Sequence, residues 1–216
     1  VTLYVGRSPD EPPLAQGQAT WLQGEVAGRG IYVAALSFPA AGRYVALAVA
    51  TTKDGARLRG GTSLTVAAKS KSPVRGERAV SVVTPTTARP DGADPLCSRK
   101  PVCSGHAVSL DAALRNGKPT VVTFAAPAFC VSELCGPVVD IVDRIARPQQ
   151  RALNYVHVEA YRDHGKNNAP PLDAWHFSSE PWTYFIGRDG VVTDRLAGAL
   201  GDTEVKTRLA RLGVTV

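Results

Sequence analysis

The chain has no methionine, only five phenylalanines and three tryptophans in 216 residues, and just four histidines and four cysteines. Without methionine it holds no translation start, so it reads as a processed or trimmed piece that has lost a signal or lipid anchor, a membrane tether upstream. No apolar run approaches the roughly 20 residues that cross a bilayer. The sequence contains no Gly-rich phosphate loop, no H-E-x-x-H and no G-x-S-x-G, which argues against nucleotide hydrolysis, zinc proteolysis and a serine nucleophile elbow. No motif calls for a bound cofactor. The net charge of +6 would suit an anionic partner. Yet apart from "KSKSPVRGER" (69–78) the basic residues are dispersed, and no run of stacking aromatics accompanies them, so no nucleic-acid partner is expected.

What is present suits two domains, because 44% apolar residues over this length can bury ordinary cores. Residues 1–72 read as β. "GIYVAALSF" (30–38) and "RYVALAVATT" (43–52), separated by Pro39 and Gly42, are expected to pair as a hairpin, and "TSLTVAA" (62–68) follows a turn at Asp54 and Gly55. Short strands between turn residues predict a small immunoglobulin-like β-sandwich, and because the chain opens directly on "TLYV" an initial strand is expected to be missing. Residues 73–106 are rich in Pro, Ser, Thr and Arg without a sustained apolar period, and are expected to be a linker.

From 107 to 216 the periods alternate. Ser109 is placed to cap a helix "LDAALRN"; "PTVVTFA" (119–125) is a buried strand; Val138, Ile141, Val142 and Ile145 fall at helical spacing. "NYVHVEAY" (154–161) is a strand, "PPLDAWHF" a short helix, "PWTYFIGRDGVVTDRLAG" (181–198) two strands joined at Asp189 and Gly190, and a last helix follows Asp202. This order predicts an α/β domain with one sheet covered on both faces.

The cysteines fall in two close pairs, Cys97 with Cys103 and Cys130 with Cys135, which fits an oxidising compartment or a metal site. Three pairings are open, and proximity favours the local ones. Cys97 and Cys103 read first as a structural disulfide pinning the linker onto the domain. With His106 they also make an incomplete zinc or copper pattern, short of a fourth ligand at a recognised spacing.

"TVVTFAAPAFCVSELCGPVVDIVDRIA" and "SSEPWTYFIGRDGVVTDRLAG" resemble the thioredoxin-like superfamily: a strand leading through cysteines into a helix, then a cis-proline loop, strand and hairpin. The resemblance implies that Cys130 is the nucleophile at a helix N-terminus and Cys135 the resolving thiol. It implies a cis bond before Pro181, with Glu180, Pro181, Trp182 and Phe129 lining the substrate surface. The fold class is therefore an all-β immunoglobulin-like sandwich followed by an α/β thioredoxin-like fold. The implied function is extracytoplasmic thiol–disulfide exchange on protein or small-thiol substrates, with the N-terminal domain contacting an envelope partner.

Spacing sets a condition on this reading. In a continuous helix residues i and i+5 have Cα atoms about 8.7 Å apart and point about 140° away from each other, whereas a disulfide needs Cα atoms within roughly 7 Å. So "CVSELC" lies outside regular helix or unwinds on oxidation. Pro137, which crowds the preceding turn, and Gly136 are the expected break. Three alternatives remain. A peroxidase of the same cysteine spacing would want a threonine three residues before its reactive cysteine and a proline seven before, where this chain has Pro127 and Thr123. A copper carrier would pair cysteines with His157, His164 or His176. A non-catalytic binding module would keep the cysteines as an inert staple. Asp140 and Asp143 read as solvated helix residues, and Trp175 and Trp182 suit either a core or the flank of a peptide groove.

Overall fold

In the computed structural model, which describes residues 1–23, 30–130 and 133–216, the chain divides after Ser70 into two units. It is β-rich, with several separate sheets. The first unit, Val1–Ser70, holds β1 (Thr2–Gly6), β2 (Ala15–Gln18), β3 (Thr20–Gln23), β4 (Gly30–Val33), β5 (Gly42–Thr51) and β6 (Arg57–Val66). Four of these form an antiparallel sheet in the order β2-β1-β5-β6, and β3 pairs with β4 as a separate ribbon. The expected hairpin between 30–38 and 43–52 does not form. The β5–β6 turn, with Gly55 at φ +85°, closes a ten-residue register that occupies one edge of β5, and β1 takes the other. Proline cannot donate to a ladder, so the connection through Pro39 separates β4 from β5 instead of joining them. Val5 and Tyr44 are the buried apolar side chains here, and the Tyr44 hydroxyl donates to Ala40 O at 2.5 Å.

The second unit, Lys71–Val216, holds α1 (Leu110–Ala113), β7 (Thr120–Ala125), α2 (Cys135–Ala146), β8 (Asn154–Glu159), the short ribbon β9 (Tyr161–Arg162) and β10 (Asn167–Asn168), α3 (Pro170–Ala174), β11 (Trp182–Ile186), β12 (Val192–Ala197) and α4 (Asp202–Arg211). Its main sheet runs β12-β11-β7-β8, with β7 and β8 parallel and the other pairs antiparallel. The parallel pair needs a crossover, and α2 supplies it.

Alternation along β7 and β8 builds two cores. Val122, Phe124, Val156 and Val158 face Leu110, Leu172 and Trp175, while Val121, Ala125 and Tyr155 face Val138, Val142, Val205 and Leu209. Every residue of β7 and β8 is consequently buried, the polar Asn154, His157 and Glu159 of β8 included. Each fully buried Val or Phe contributes about 1.5–3 kcal/mol relative to exposure.

Three local expectations change. Ser109 precedes α1 but does not cap it; its Oγ accepts from Thr84 N at 2.8 Å and donates to Asp111 at 2.5 Å. The residue before α4 is Gly201, with Glu204 accepting from its N–H at 3.0 Å, and Asp202 instead binds Arg144 of α2 through two bonds of 2.8 Å. Helix α2 begins at Cys135, so Gly136 and Pro137 lie inside its first turn. There the N–H that proline lacks is one the helix leaves unpaired anyway, so it causes no break.

Residues 71–106 belong to the second unit and are not a linker. Ala79, Val80 and Val82 pack on the core around Trp175, and Thr84, Thr86 and His106 are buried. Backbone bonds tie the segment down along its length: Gly76 N to Val192 O at 2.8 Å, Ala79 N to Gly190 O at 2.9 Å, and Thr87 N to His106 O at 2.9 Å.

Candidate functional site

Strand β7 ends at Ala125, and a turn follows in which Phe129 N and Cys130 N both donate to Ala126 O at 3.0 Å. This turn halts the chain before the helix starts. Cys130 therefore stands half-buried ahead of α2, and Cys135, fully buried, is the first residue of the helix. The expected position of Cys130 at the helix N-terminus belongs to Cys135. With Glu133 at φ +58°, the chain between the cysteines is not helical at that residue, and the two sulphurs and a Glu180 carboxylate oxygen all lie within 4.8 Å of one another. Because α2 starts only at Cys135 and Glu133 lies outside it, the two cysteines do not share one continuous helix, as the spacing condition requires. Burial, then the hydrogen bond with Cys130, push the Cys135 thiol up from its ordinary pKa. Cys135 thus holds its proton.

Glu180 also accepts a 2.7 Å hydrogen bond from the Tyr161 hydroxyl. The Glu180–Pro181 peptide is cis, and Pro181 is buried at the start of β11. Trp182 is half-buried, stacked on Phe177 at 5.3 Å with the Arg195 guanidinium 5.3 Å from its ring. Trp175, by contrast, is fully buried among Phe124, Phe177 and Tyr184. The two tryptophans so divide between a core and a partly open flank. Phe129 is half-buried against the core around Trp175 and faces the His164 ring at 6.4 Å.

The other cysteine pair builds a second cluster. Cys97 and Cys103 sulphurs are 3.8 Å apart, well beyond a bonded length of about 2.05 Å, so the expected disulfide between them is not formed in the structure. His157 Nδ1 lies 3.5 Å from Cys97 Sγ, 3.3 Å from Cys103 Sγ and 3.1 Å from His106 Nε2. Strand alternation explains the arrival of His157: it shares a face of β8 with Tyr155 and Glu159, and β8 is the sheet's edge strand. That edge is covered by the loop, since His157 N donates to Gly105 O at 2.8 Å. A Cβ on Gly105 would come within 2.6 Å of His157 N, so only glycine lets the loop approach so closely.

Electrostatics tie the cluster together. The hydrogen bond with Cys103, and then the two imidazoles, hold Cys97 well below the ordinary thiol pKa despite burial. The same bond and burial push Cys103 up, so the pair releases one proton readily and retains the other. Burial holds His106 below its usual pKa. Burial also raises Glu159 to about 7, although its carboxylate accepts from Ser98 N at 2.7 Å and Ser98 Oγ at 3.0 Å.

Asp143 anchors this loop to α2 and is not solvated: it is 2% exposed and accepts from Ser104 N at 2.8 Å, Ser104 Oγ at 2.6 Å and Arg147 at 2.5 Å. Asp140 is partly buried and pairs with Arg99. Burial alone would raise the Asp143 pKa, but the Ser104 and Arg147 bonds outweigh it and the value is lowered. A depressed folded-state value means that the stabilisation is complete above the unfolded value near 3.9 and is lost as the pH falls through the folded one. Asp143→Ala is expected to cost about 2–3 kcal/mol in urea unfolding at pH 7. The difference from wild type should close as the pH is lowered below 4.

The remaining histidines stand apart. His164 is exposed, 3.7 Å from Asp94, and His176 is exposed after α3. Neither joins the Cys130 cluster, whose third donor is the Glu180 oxygen. Thr123 is fully buried in β7, its hydroxyl 3.3 Å from that of Thr183. No family model matches the chain, and no curated protein matches it.

Proposed function

We propose that residues 107–216 form a thioredoxin-like domain that carries out thiol–disulfide exchange through Cys130 and Cys135, with residues 71–106 laid onto it. The observation that carries the reading is the convergence of the two sulphurs and the Glu180 carboxylate within 4.8 Å, immediately after the central strand β7. Cys130 is the more accessible sulphur and the nucleophile. Its thiolate attacks one sulphur of a substrate disulfide, forming a mixed disulfide and releasing the other substrate sulphur as a thiolate that takes up a proton. Cys135 then loses its proton and attacks the Cys130 sulphur. The second substrate thiol leaves, and the chain keeps a Cys130–Cys135 disulfide, oxidised by the two electrons the substrate has gained. Glu180 is placed to take the Cys135 proton and pass it to the departing sulphur. Run backwards, the same steps oxidise a dithiol.

The substrate is a protein or small thiol, docked over Glu180, Pro181, Trp182 and Phe129. The first unit, read as an immunoglobulin-like sandwich in an extracytoplasmic protein, supplies a partner contact; the exposed apolar side chains Trp21, Tyr32, Leu47 and Leu58 support that role. The test is a disulfide map made across a series of dithiol/disulfide buffers. A Cys130–Cys135 bond that forms and breaks reversibly is expected. A Cys130 that stays reduced and unreactive across the series overturns the proposal.

The Glu180 charge is one of the influences that raise Cys135. Glu180→Gln should therefore lower the pH at which Cys135 is alkylated in a Cys130→Ser background. With Cys130 intact, turnover of Glu180→Gln should nonetheless slow several-fold, because the proton acceptor has gone.

A further inference from the structure

We propose that Cys97, Cys103, His106 and His157 form a closed tetrahedral Zn²⁺ site, separate from the Cys130–Cys135 pair. The distances between the four donor atoms carry the argument. With Zn–S near 2.3 Å and Zn–N near 2.0–2.1 Å, a regular tetrahedron has edges of about 3.8 Å between sulphurs, about 3.5 Å between sulphur and nitrogen and about 3.3 Å between nitrogens. The chain holds its two sulphurs 3.8 Å apart, the sulphur–nitrogen edges to His157 at 3.5 and 3.3 Å, and its two nitrogens 3.1 Å apart. All four donors lie within 4.8 Å of one another. A Cys97–Cys103 disulfide would need the sulphurs to close to about 2.05 Å, and it would leave two imidazole nitrogens aimed at a bond with no use for them.

The surroundings fit the ion. The four residues are 7, 5, 2 and 1% exposed, so the site has no open position for substrate and is structural in character. Ala125 O lies 3.2 Å from His157 Nε2; as the Nε2–H tautomer His157 donates there, which leaves the Nδ1 lone pair facing the sulphurs. Two thiolates and Zn²⁺ form a neutral unit. A monovalent copper ion on the same donors would leave a net negative charge buried near Asp143 and Glu159, which favours the divalent ion. A cavity of about 220 Å³ lined in part by Pro85, Leu96 and Tyr161 reaches His106 and His157 and gives the ion a way in.

Closing the site would also brace the redox turn. Ser98, next to the first ligand, accepts from Ala128 N at 3.0 Å in the turn that delivers Cys130, and Arg99 pairs with Asp140 on α2. The clamp thus joins β8, α2 and the approach to Cys130 without touching the reacting sulphurs. Binding takes both cysteines as thiolates, so any thiol proton still held goes to solvent, and it transfers no electrons.

The test uses the full chain, reduced and stripped with a chelator, then titrated with Zn²⁺ against a chromophoric competitor, and separately with Co²⁺. One Zn²⁺ per chain is expected. Co²⁺ should give the intense visible bands of a tetrahedral ion together with sulphur-to-cobalt charge transfer. The double variant C130S/C135S should bind with unchanged stoichiometry and affinity, whereas Cys103→Ser and His106→Gln should each weaken binding at least about 100-fold. The proposal is overturned if the reduced wild-type chain binds no stoichiometric Zn²⁺, if cobalt shows only weak octahedral bands, or if binding disappears in C130S/C135S. Should either ligand variant fail to fold, the wild-type cobalt spectrum still decides, because it reports geometry and sulphur ligation directly. The inference does not rest on the redox reading: C130S/C135S can lose all exchange activity and still bind the metal.

Discussion

Cys130→Ser will lower the rate of disulfide reduction by the chain to the uncatalysed level, a loss of at least about 10³-fold, equivalent to roughly 4 kcal/mol of transition-state stabilisation. The hydroxyl is not ionised near neutrality and cannot form a disulfide, so no part of the cycle survives. Cys135→Ser behaves differently. Cys135 is fully buried at the start of α2 with its pKa raised, and so makes a poor first attacker. It is needed only to resolve the mixed disulfide. Its serine variant is expected to perform the first step and stop, accumulating a covalent adduct through Cys130 that non-reducing electrophoresis and mass spectrometry would detect. Equal loss in both variants with no adduct would mean that the two sulphurs are not a nucleophile and its resolving partner. An adduct through Cys135 would reverse the roles.

The groups around the sulphurs distinguish the two cysteine pairs. Cys97 and Cys103 are both buried and face two imidazoles, whereas Cys130 is half-buried and faces a carboxylate. Soft thiolates with neutral nitrogens suit a metal. A thiolate beside a carboxylate suits proton movement, because the carboxylate can take a proton and return it. The contact from Ala128 N to Ser98 Oγ then couples them mechanically: loosening the loop 97–106 should disturb the turn that presents Cys130.

Much of the second unit was legible because its signals are local and periodic. β7 is a short apolar run, β8 sets Val156 and Val158 in alternation with Tyr155, His157 and Glu159, α2 repeats its apolar residues at helical spacing, and Asp189-Gly190 marks the β11–β12 turn, with Gly190 at φ +77°. What escaped notice depends on contacts distant in sequence. Residues 71–106 look like a linker because their attachment runs through backbone bonds to β12, to Gly190 in the turn before it and to His106, and backbone bonds leave no trace in side-chain composition. The mispaired hairpin in the first unit failed for a related reason: which edge of β5 is taken depends on β1, near the start of the chain. The sequence offers His157 as one of three histidines for a cysteine pair but does not say which pair, because 60 residues separate it from Cys97. The usable signal was there, since alternation puts His157 on the same face of β8 as Glu159, whose carboxylate binds Ser98 beside Cys97.

Trp175→Ala should be the most destabilising single change outside the cysteine clusters, costing about 3–5 kcal/mol. Trp175 is fully buried, with ring centroids 4.8 Å from Tyr184 on β11, 4.9 Å from Phe124 on β7 and 5.8 Å from Phe177. Truncation leaves a void under the sheet that the Phe124 and Tyr184 rings, fixed by their own strands, cannot fill. Trp175 Nε1 has no hydrogen-bond partner among the described residues, so the substitution removes an unsatisfied donor as well, which offsets part of the packing loss. For a protein of this size about 2–4 °C of Tm accompanies each kcal/mol, so thermal unfolding followed by near-ultraviolet circular dichroism should shift down by roughly 6–20 °C. Trp182→Ala gives the comparison. That ring is half-buried, stacked on Phe177 and shielded by Arg195, so its loss should cost less stability while weakening substrate docking beside Pro181. If the two variants lost equal stability and neither altered exchange with a peptide disulfide, Trp182 would belong to the core and the proposed docking surface would have to exclude it.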